Sequence, residues 1–323
     1  KDVGNYDKKK IKLFFSEHHL SHAASAFFPS PYKNAAILTI DVVGEWCTAS
    51  IGYGEGNKIS LYKELFFPHS VGLLYSAFTY YLGFTVNTGE YKLMGLAPYG
   101  NPDSDKTKKF INTIKTSLVD IKQDGSIWLN QDYFNYATRL TMVKEKKWET
   151  LFGFSRRVPE GEIEQHHCNI ALAIQKITEE IILKMAHEAK RLTGSENLCI
   201  AGGVALNCVA NSKLLDENIF KNIFIQPAAG DAGGSLGAAL AASFIYFEEN
   251  RVADEINDQM CGTYLGPEYS QSEIEEMSRN NKAIYKKYAD FDELTKYIAS
   301  KIAEGNIVGW FQERMEFGAR ALG

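Results

Sequence analysis

Two histidines near the start of the chain have the spacing of a pair of metal ligands. His18 and His22 are four residues apart, so on a helix their rings share one face, one turn apart. Asp41 ends an apolar run that is typical of a buried strand, and α/β folds place ligand-binding groups at strand ends beside glycine turns. Capping or core histidines and an ordinary turn aspartate explain the same residues. The spacing therefore leaves a divalent metal site and structural roles as alternatives.

Two glycine-rich segments follow predicted strands in the second half of the chain, at residues 202–207 and 230–235. Glycine lets the backbone approach a phosphate or an adenine closely, and a following helix offers its positive N-terminus. Tight packing of a helix on a sheet explains each segment equally well. The pattern GxxxxGK[ST] is absent from the sequence, which argues against a P-loop.

The hydrophobic pattern predicts an α/β protein whose elements position these residues. The predicted strands cover residues 11–15, 35–41, 47–53, 59–64, 197–201, 222–226 and 307–311. The predicted helices cover residues 18–28, 70–82, 162–192, 206–214, 236–248 and 291–303. We expect an irregular surface over 101–135 and a polar linker over 249–259, followed by a second α/β domain.

Composition excludes several classes of protein. The chain of 323 residues carries a net charge of −5 and has a pI of about 5.9, which argues against a nucleic-acid partner. Its apolar runs are far shorter than the roughly 20 residues that span a bilayer, so no membrane association is expected. Five widely spaced cysteines without a CxxC pair indicate reduced thiols and a cytoplasmic location.

Several segments, taken together and in order, resemble the carbamoyltransferase family that includes nodulation and antibiotic O-carbamoyltransferases. They are residues 18–28, 41–46, 89–100, 202–207, 230–240 and 314–323. The resemblance implies an ASKHA-type (actin-like ATPase), two-lobed domain over residues 1–259, similar to the domain that threonylcarbamoylates tRNA. It further implies that residues 260–323 begin a YrdC-like α/β domain that forms carbamoyl-adenylate. On this interpretation both ends are truncated, and the chain alone is catalytically incomplete.

The resemblance also implies a reaction and a ligand set. The parent protein would be an ATP-dependent O-carbamoyltransferase that moves a carbamoyl group from carbamoyl phosphate, through carbamoyl-adenylate, to a hydroxyl of a small molecule such as a sugar. The family's metal ligands fall on His18, His22, Asp41 and Asp231. The family favours Fe²⁺, while a mixed histidine and carboxylate set also suits Mn²⁺ or Zn²⁺. Mg²⁺ is expected for adenylate formation.

Further residues are candidates for binding and catalysis. We expect contacts to the nucleotide and carbamoyl group from Gly44, Ser70, Lys92, Gly202, Gly203, Asn207, Gly233, Gly234, Ser235 and Arg320. For Ser70 a helix cap, and for Lys92 an exposed surface position, are the alternatives. The general base for the acceptor hydroxyl is expected among Asp132, Glu90 and His69, each of which also suits a surface or structural role.

Two rival functions remain open at this point. One is a tRNA threonylcarbamoyl transferase. The net negative charge of the chain and the presence of the segment 314–323 argue against it. The other is a non-catalytic nucleotide-binding module, which gains support from Val43, a position where the family usually has glycine. Metal content and adenylate binding would distinguish these classes. A homodimer is an open alternative for the assembly.

Overall fold

A computed structural model describes residues 13–319. Its strands are β1 (Asn34–Gly44), β2 (Cys47–Glu55), β3 (Lys58–Phe66), β4 (Val119–Ile121), β5 (Ile127–Leu129), β6 (Asn197–Ala201) and β7 (Asn222–Ile225). Its α-helices are α1 (His18–Phe27), α2 (Val71–Tyr81), α3 (Glu90–Leu96), α4 (Asp105–Thr113), α5 (Glu145–Phe152), α6 (Gln165–Thr193), α7 (Cys208–Asp216), α8 (Asp231–Ala241), α9 (Gln271–Asn280) and α10 (Phe291–Ala303). The predicted mixed α/β class is confirmed.

The main sheet has the strand order β3-β2-β1-β6-β7. The strands β3, β2 and β1 are antiparallel neighbours, whereas β6 and β7 run parallel to β1. A two-lobed arrangement would require a second sheet of this kind. The described residues contain this five-stranded sheet and the two-stranded hairpin of β4 and β5.

Strand β1 lies at the centre of the sheet and is buried on both faces. Leu38 and Ile40 point into the larger core, which α2 and α6 share, and Ile37 points into the smaller core with Phe27 of α1. This alternation is the two-residue period of a strand. Because helices cover both faces, β1 is apolar along nearly all its length. The carboxyl ends of β1 and β6 then open at one edge, where ligand groups collect.

Several predictions about secondary structure are wrong. Residues 13–15, the described part of the predicted strand 11–15, have no regular structure, and Phe15 is 93% exposed. The predicted strand 307–311 is also irregular, with Ile307 fully exposed. The predicted irregular region 101–135 instead contains α4, which Ser104 caps, and the hairpin of β4 and β5. Local apolar runs thus indicated strands that have no pairing partner among the described residues.

The glycine-rich segment 230–235 is not a turn, because α8 begins at Asp231 and includes the remaining four residues. A Cβ at Gly233 would lie 2.1 Å from the carbonyl oxygen of Ala228, and one at Gly237 would lie 1.8 Å from that of Ser21. These glycines allow α8 to pack directly on neighbouring backbone, including that of α1.

The segment 249–259 lacks regular secondary structure, as predicted for a linker, yet it packs against the end of α1. The Arg251 guanidinium donates hydrogen bonds to the carbonyl oxygens of Phe27, Phe28, Ser30 and Tyr32, at 2.8 to 3.1 Å. The segment 249–259 is therefore held against the end of the first helix through Arg251.

The chain divides into two compact units, one ending at Gln259 and the other starting at Met260. The second unit contains α9, which begins with a capping box of Ser270 and Glu273, and α10. The bounds of α10 are those predicted from the sequence. Within residues 13–319, every helix falls short of the length or apolar content that crossing a membrane requires.

Candidate metal centre

Helix α1 places its two predicted ligands side by side. The Nε2 atoms of His18 and His22 are 2.9 Å apart, and they lie 2.8 and 3.0 Å from one carboxylate oxygen, Oδ2 of Asp41. His22 is completely buried and Asp41 nearly so, whereas His18 is partly exposed. Two imidazole nitrogens at this distance repel each other unless a proton or a cation lies between them.

Asp231 completes the cluster from the first turn of α8. Its Oδ1 lies 3.7 Å from Nε2 of His18 and 3.8 Å from Nε2 of His22, and its side chain is 84% exposed. One ligand atom from each of the four residues lies within 4.8 Å of all the others. The structure therefore brings together all four residues predicted as metal ligands, and the cluster opens toward solvent on the Asp231 side.

The carboxylate of Asp41 is held in its ionised form. Burial opposes ionisation, but hydrogen bonds from His18 and His22 outweigh it and keep the pKa of Asp41 well below its usual range. The hydrogen bond to Asp41 in turn raises the pKa of His18, against the opposing effect of burial. The backbone N–H of Gly203 donates to Oδ1 of Asp41 at 3.0 Å, which leaves Oδ2 facing the histidines.

His19 points away from this cluster and fixes α1 to the sheet. Its Nδ1 lies 2.6 Å from the hydroxyl oxygen of Thr39, and its Nε2 lies 3.0 Å from the carbonyl oxygen of Cys47. Burial lowers the pKa of His19 to about 4, so the ring is neutral at physiological pH. A neutral ring that donates to Cys47 from Nε2 accepts the Thr39 hydroxyl at Nδ1.

Glycines shape the walls of the cluster. A Cβ at Gly44 would lie 2.1 Å from the His18 ring, so this glycine makes room for a ligand side chain. Gly202 has φ +92° and lies against the backbone of Ile40, next to Asp41. A Cβ at Gly234 would be 3.9 Å from Cε1 of His22, an ordinary contact distance. The predicted positions Gly44, Gly202 and Gly234 therefore border the cluster.

The side chains of two other predicted binding residues form hydrogen bonds to other parts of the protein. The buried Ser70 hydroxyl accepts a hydrogen bond from the Leu73 backbone, as the N-cap of α2, and donates to the carbonyl oxygen of Val42 at 2.6 Å. The Asn207 side chain caps α7 and pairs with Gln175. Both residues hold backbone close to Asp41 and Gly203.

The remaining candidates lie in varied surroundings. Glu90 accepts hydrogen bonds from the Ser76 hydroxyl and the Asn87 backbone at the start of α3. Lys92, Asp132 and Ser235 are exposed, and the Ser235 hydroxyl donates to the backbone within α8. Gly233 packs against Ala228, as described above. Arg320 lies outside the described residues.

The hydrogen bonding of His69 constrains its chemistry. The Leu129 backbone N–H donates to its Nδ1 at 3.1 Å, and the ring stacks on Trp128 with a centroid separation of 4.0 Å. Burial lowers the pKa of His69, which favours the neutral ring. Because Nδ1 accepts, the neutral ring carries its proton on Nε2 and is a hydrogen-bond donor there, which is not the form that a general base needs.

Sequence reasoning missed Gln175 and Gly237. Gln175 lies within α6 next to Lys176 and one turn before Glu179, so no local signal distinguishes it as a buried, hydrogen-bonded group. Gly237 had no distinguishing local signal, because its requirement comes from the backbone of α1.

A family model described as "Carbamoyltransferase N-terminus" matches residues 2–240, and one described as "Carbamoyltransferase C-terminus" matches residues 299–323. An uncharacterized protein of Synechocystis is 54% identical over 325 residues, covering all of this chain and 51% of that protein. Nodulation protein NolO of Bradyrhizobium diazoefficiens is 31% identical, covering 95% of this chain and 52% of its own length. The 3'-hydroxymethylcephem-O-carbamoyltransferase of Streptomyces clavuligerus is 30% identical over 50% of this chain and 28% of its own length. The chain thus spans about half the length of its more similar relatives.

Proposed function

Because the chain belongs to the carbamoyltransferase family, we propose that it contributes a metal-dependent site for transfer of a carbamoyl group to a hydroxyl of a small molecule. The observation that carries this proposal is the shared contact of two histidine nitrogens with one oxygen of Asp41. The donor would be carbamoyl-adenylate, made from carbamoyl phosphate and ATP, as the resemblance implies.

The residues fit a divalent cation. His18 and His22 supply two nitrogens, Asp41 and Asp231 supply carboxylate oxygens, and this mixed set suits Fe²⁺, Mn²⁺ or Zn²⁺. The close approach of the two nitrogens is stabilised by positive charge between them. When bound, the cation would attract the phosphate of the adenylate and stabilise the negative charge of the departing AMP.

The protein's own residues keep these groups in place. The Gly203 N–H fixes one oxygen of Asp41, so the other oxygen faces the histidines. His19 fastens α1 to β1 and β2, and Gly44 leaves space for the His18 ring. The burial of His22 excludes water from one side of the cluster, and the exposed Asp231 marks the side from which a ligand would enter.

The transfer itself needs few atoms to move. The acceptor oxygen forms a bond with the carbamoyl carbon, the bond from that carbon to the AMP oxygen breaks, and the hydroxyl proton passes to a base. Glu90 and Asp132 remain proposals for that base. His69, as an Nε2–H donor, suits a hydrogen bond to an oxygen of the ligand better.

The class of acceptor is proposed by analogy. One relative is named for O-carbamoylation of a hydroxymethyl group, and others are named as nodulation proteins. We therefore propose a hydroxylated small molecule as the acceptor.

The five cysteines lie within the described residues and form no disulfide there, which suits a reducing compartment such as the cytoplasm.

The test is carbamoyl transfer from preformed carbamoyl-adenylate to a panel of hydroxylated small molecules, with a divalent cation supplied and the products identified by mass spectrometry. Asp41→Asn keeps the shape of a buried residue but removes its charge, and we expect it to lower product formation at least about 100-fold. The matched control is His187→Ala, which removes an exposed histidine of α6 and should leave the rate unchanged. Equal rates for wild type and Asp41→Asn would overturn the proposed function.

A further inference from the structure

A pair of buried side-chain amides joins α6 to the segment that follows β6. Nε2 of Gln175 donates to Oδ1 of Asn207, and Nδ2 of Asn207 donates to Oε1 of Gln175, both at 3.0 Å. Gln175 is 2% exposed and Asn207 is 8% exposed. A reciprocal amide pair at this burial fixes the relative position of the two backbones.

The surrounding contacts determine the orientation of both amides. Oδ1 of Asn207 also accepts from the Ala210 backbone at 3.1 Å, so this atom is the oxygen. Oε1 of Gln175 accepts from the Tyr75 hydroxyl at 2.9 Å, and Nε2 of Gln175 also donates to Glu179 at 3.2 Å. Both protons of the Gln175 amide group are therefore used within the protein, and no ligand is needed to satisfy it.

Asn207 closes the same short segment that holds Asp41. A single 3₁₀ turn covers Gly203–Leu206, with the Asn207 N–H donating to the carbonyl oxygen of Val204 at 3.0 Å. At the other end of this turn, the Gly203 N–H donates to Oδ1 of Asp41. A shift of Asn207 would move Gly203 because only three residues separate them.

We propose that Gln175 is a positioning residue for Asp41, acting through Asn207 and the 203–206 turn. Gln175 holds the turn so that the Gly203 N–H reaches Oδ1, and Oδ2 of Asp41 is thereby aimed at the histidines. The structural effect is a property of the fold by itself, whereas its consequence for metal affinity rests on the proposed function.

The test compares Gln175→Met with Thr178→Val. Methionine has nearly the shape of glutamine but cannot form the amide pair. Thr178 lies on α6 one turn from Gln175 and is equally buried, and within residues 13–319 its hydroxyl bonds to its own helix, at the carbonyl oxygen of Ile174. Tyr75→Phe, which removes a single hydrogen bond to Gln175, serves as a milder variant if Gln175→Met folds poorly.

Two measurements are made on each variant. NMR hydrogen exchange of the Gly203 amide, without metal, should become about tenfold faster in Gln175→Met, with a smaller change in the same direction in Tyr75→Phe and none in Thr178→Val. The Mn²⁺ affinity, measured from the EPR signal of the free ion, should fall about tenfold in Gln175→Met only.

The two measurements separate the two ideas. Gly203 exchange that changes no more in Gln175→Met and Tyr75→Phe than in Thr178→Val would overturn the positioning role. If wild type binds no Mn²⁺ while Gly203 exchange responds as expected, the positioning role stands and the metal-dependent function fails.

Discussion

Two clusters of charged residues on this molecule differ in how completely their members neutralise one another. In the cluster of Lys63, Asp124, Glu188 and Arg191, every charge has an opposite partner, with Lys63 bonded to Asp124 at 2.9 Å and to Glu188 at 2.7 Å. Arg191 binds Glu188 through two hydrogen bonds of 2.7 Å. In the cluster of His18, His22, Asp41 and Asp231, two ring nitrogens face each other across a carboxylate oxygen.

The presence of a cavity does not by itself identify a functional cluster. Three members of the paired cluster, Asp124, Glu188 and Arg191, line a groove of about 760 Å³. The charges of this cluster satisfy one another, so it joins β3, the β4–β5 hairpin and α6 without requiring a ligand. In the histidine cluster the two ring nitrogens lie so close together that only a proton or a cation between them makes the arrangement stable. A group of ligand atoms that needs a proton or a cation therefore indicates a functional site better than cavity volume does.

The largest expected contrast is in metal content. His22→Ala should lower bound metal from about one equivalent to below a tenth, because His22 is the buried ligand that contacts both His18 and Asp41. Elemental analysis of the purified variants checks this, with dialysis against EDTA and reloading to define full occupancy. The control, Glu188→Gln, should keep its metal; a similar loss in both variants would remove the distinction between the clusters.

Two adjacent glycines of α8 should differ in how well they tolerate an added methyl group. Gly233→Ala places a Cβ 2.1 Å from a backbone oxygen and should reduce the free energy of unfolding by about 3 kcal/mol. Gly234→Ala meets only an ordinary contact with His22 and should change it by less than about 1 kcal/mol. Urea denaturation measures both. An equal loss of unfolding free energy in the two variants would show that α8 does not pack as described.

A smaller effect than that of Gly233→Ala should come from the paired cluster. Glu188→Gln removes a buried carboxylate and should cost about 1–2 kcal/mol of the free energy of unfolding. Hydrogen bonds from Arg191, and then Lys63, lower the pKa of Glu188 to about 2 from its ordinary value of 4.5. A lowered pKa stabilises the fold above pH 4.5, and that stabilisation is lost as pH falls toward 2. The difference between wild type and Glu188→Gln should therefore disappear over this range; a difference independent of pH would contradict the ion-pair account.

Much of the local structure followed from sequence patterns because its causes are local. The hydrophobic pattern predicted a helix over residues 162–192, where α6 lies, and the bounds of β6 and α10 matched the prediction. The start of α8 was placed five residues too late, since glycines favour turns locally. Within α8 these glycines instead allow close approach of neighbouring backbone, such as that of α1 at Gly237, and no local pattern encodes such a contact.

The candidate site was predictable to a similar degree. The spacing of His18 and His22 and the strand before Asp41 predicted three members from the residues themselves. The family resemblance assigned Asp231 to the same ligand set. Its place beside the histidines depends on the packing of α8 on α1, which brings it near residues more than 200 positions earlier in the chain. The supporting roles of Gly203 and Gln175 likewise depend on contacts between distant segments.

The most direct measurement of the central claim is anomalous X-ray diffraction from crystals of this protein grown with Mn²⁺, recorded above and below the manganese absorption edge. We expect one strong anomalous peak bounded by the Nε2 atoms of His18 and His22, Oδ2 of Asp41 and Oδ1 of Asp231. A map with no peak among these four residues, or with a fully occupied Mn²⁺ site elsewhere and none here, would contradict it.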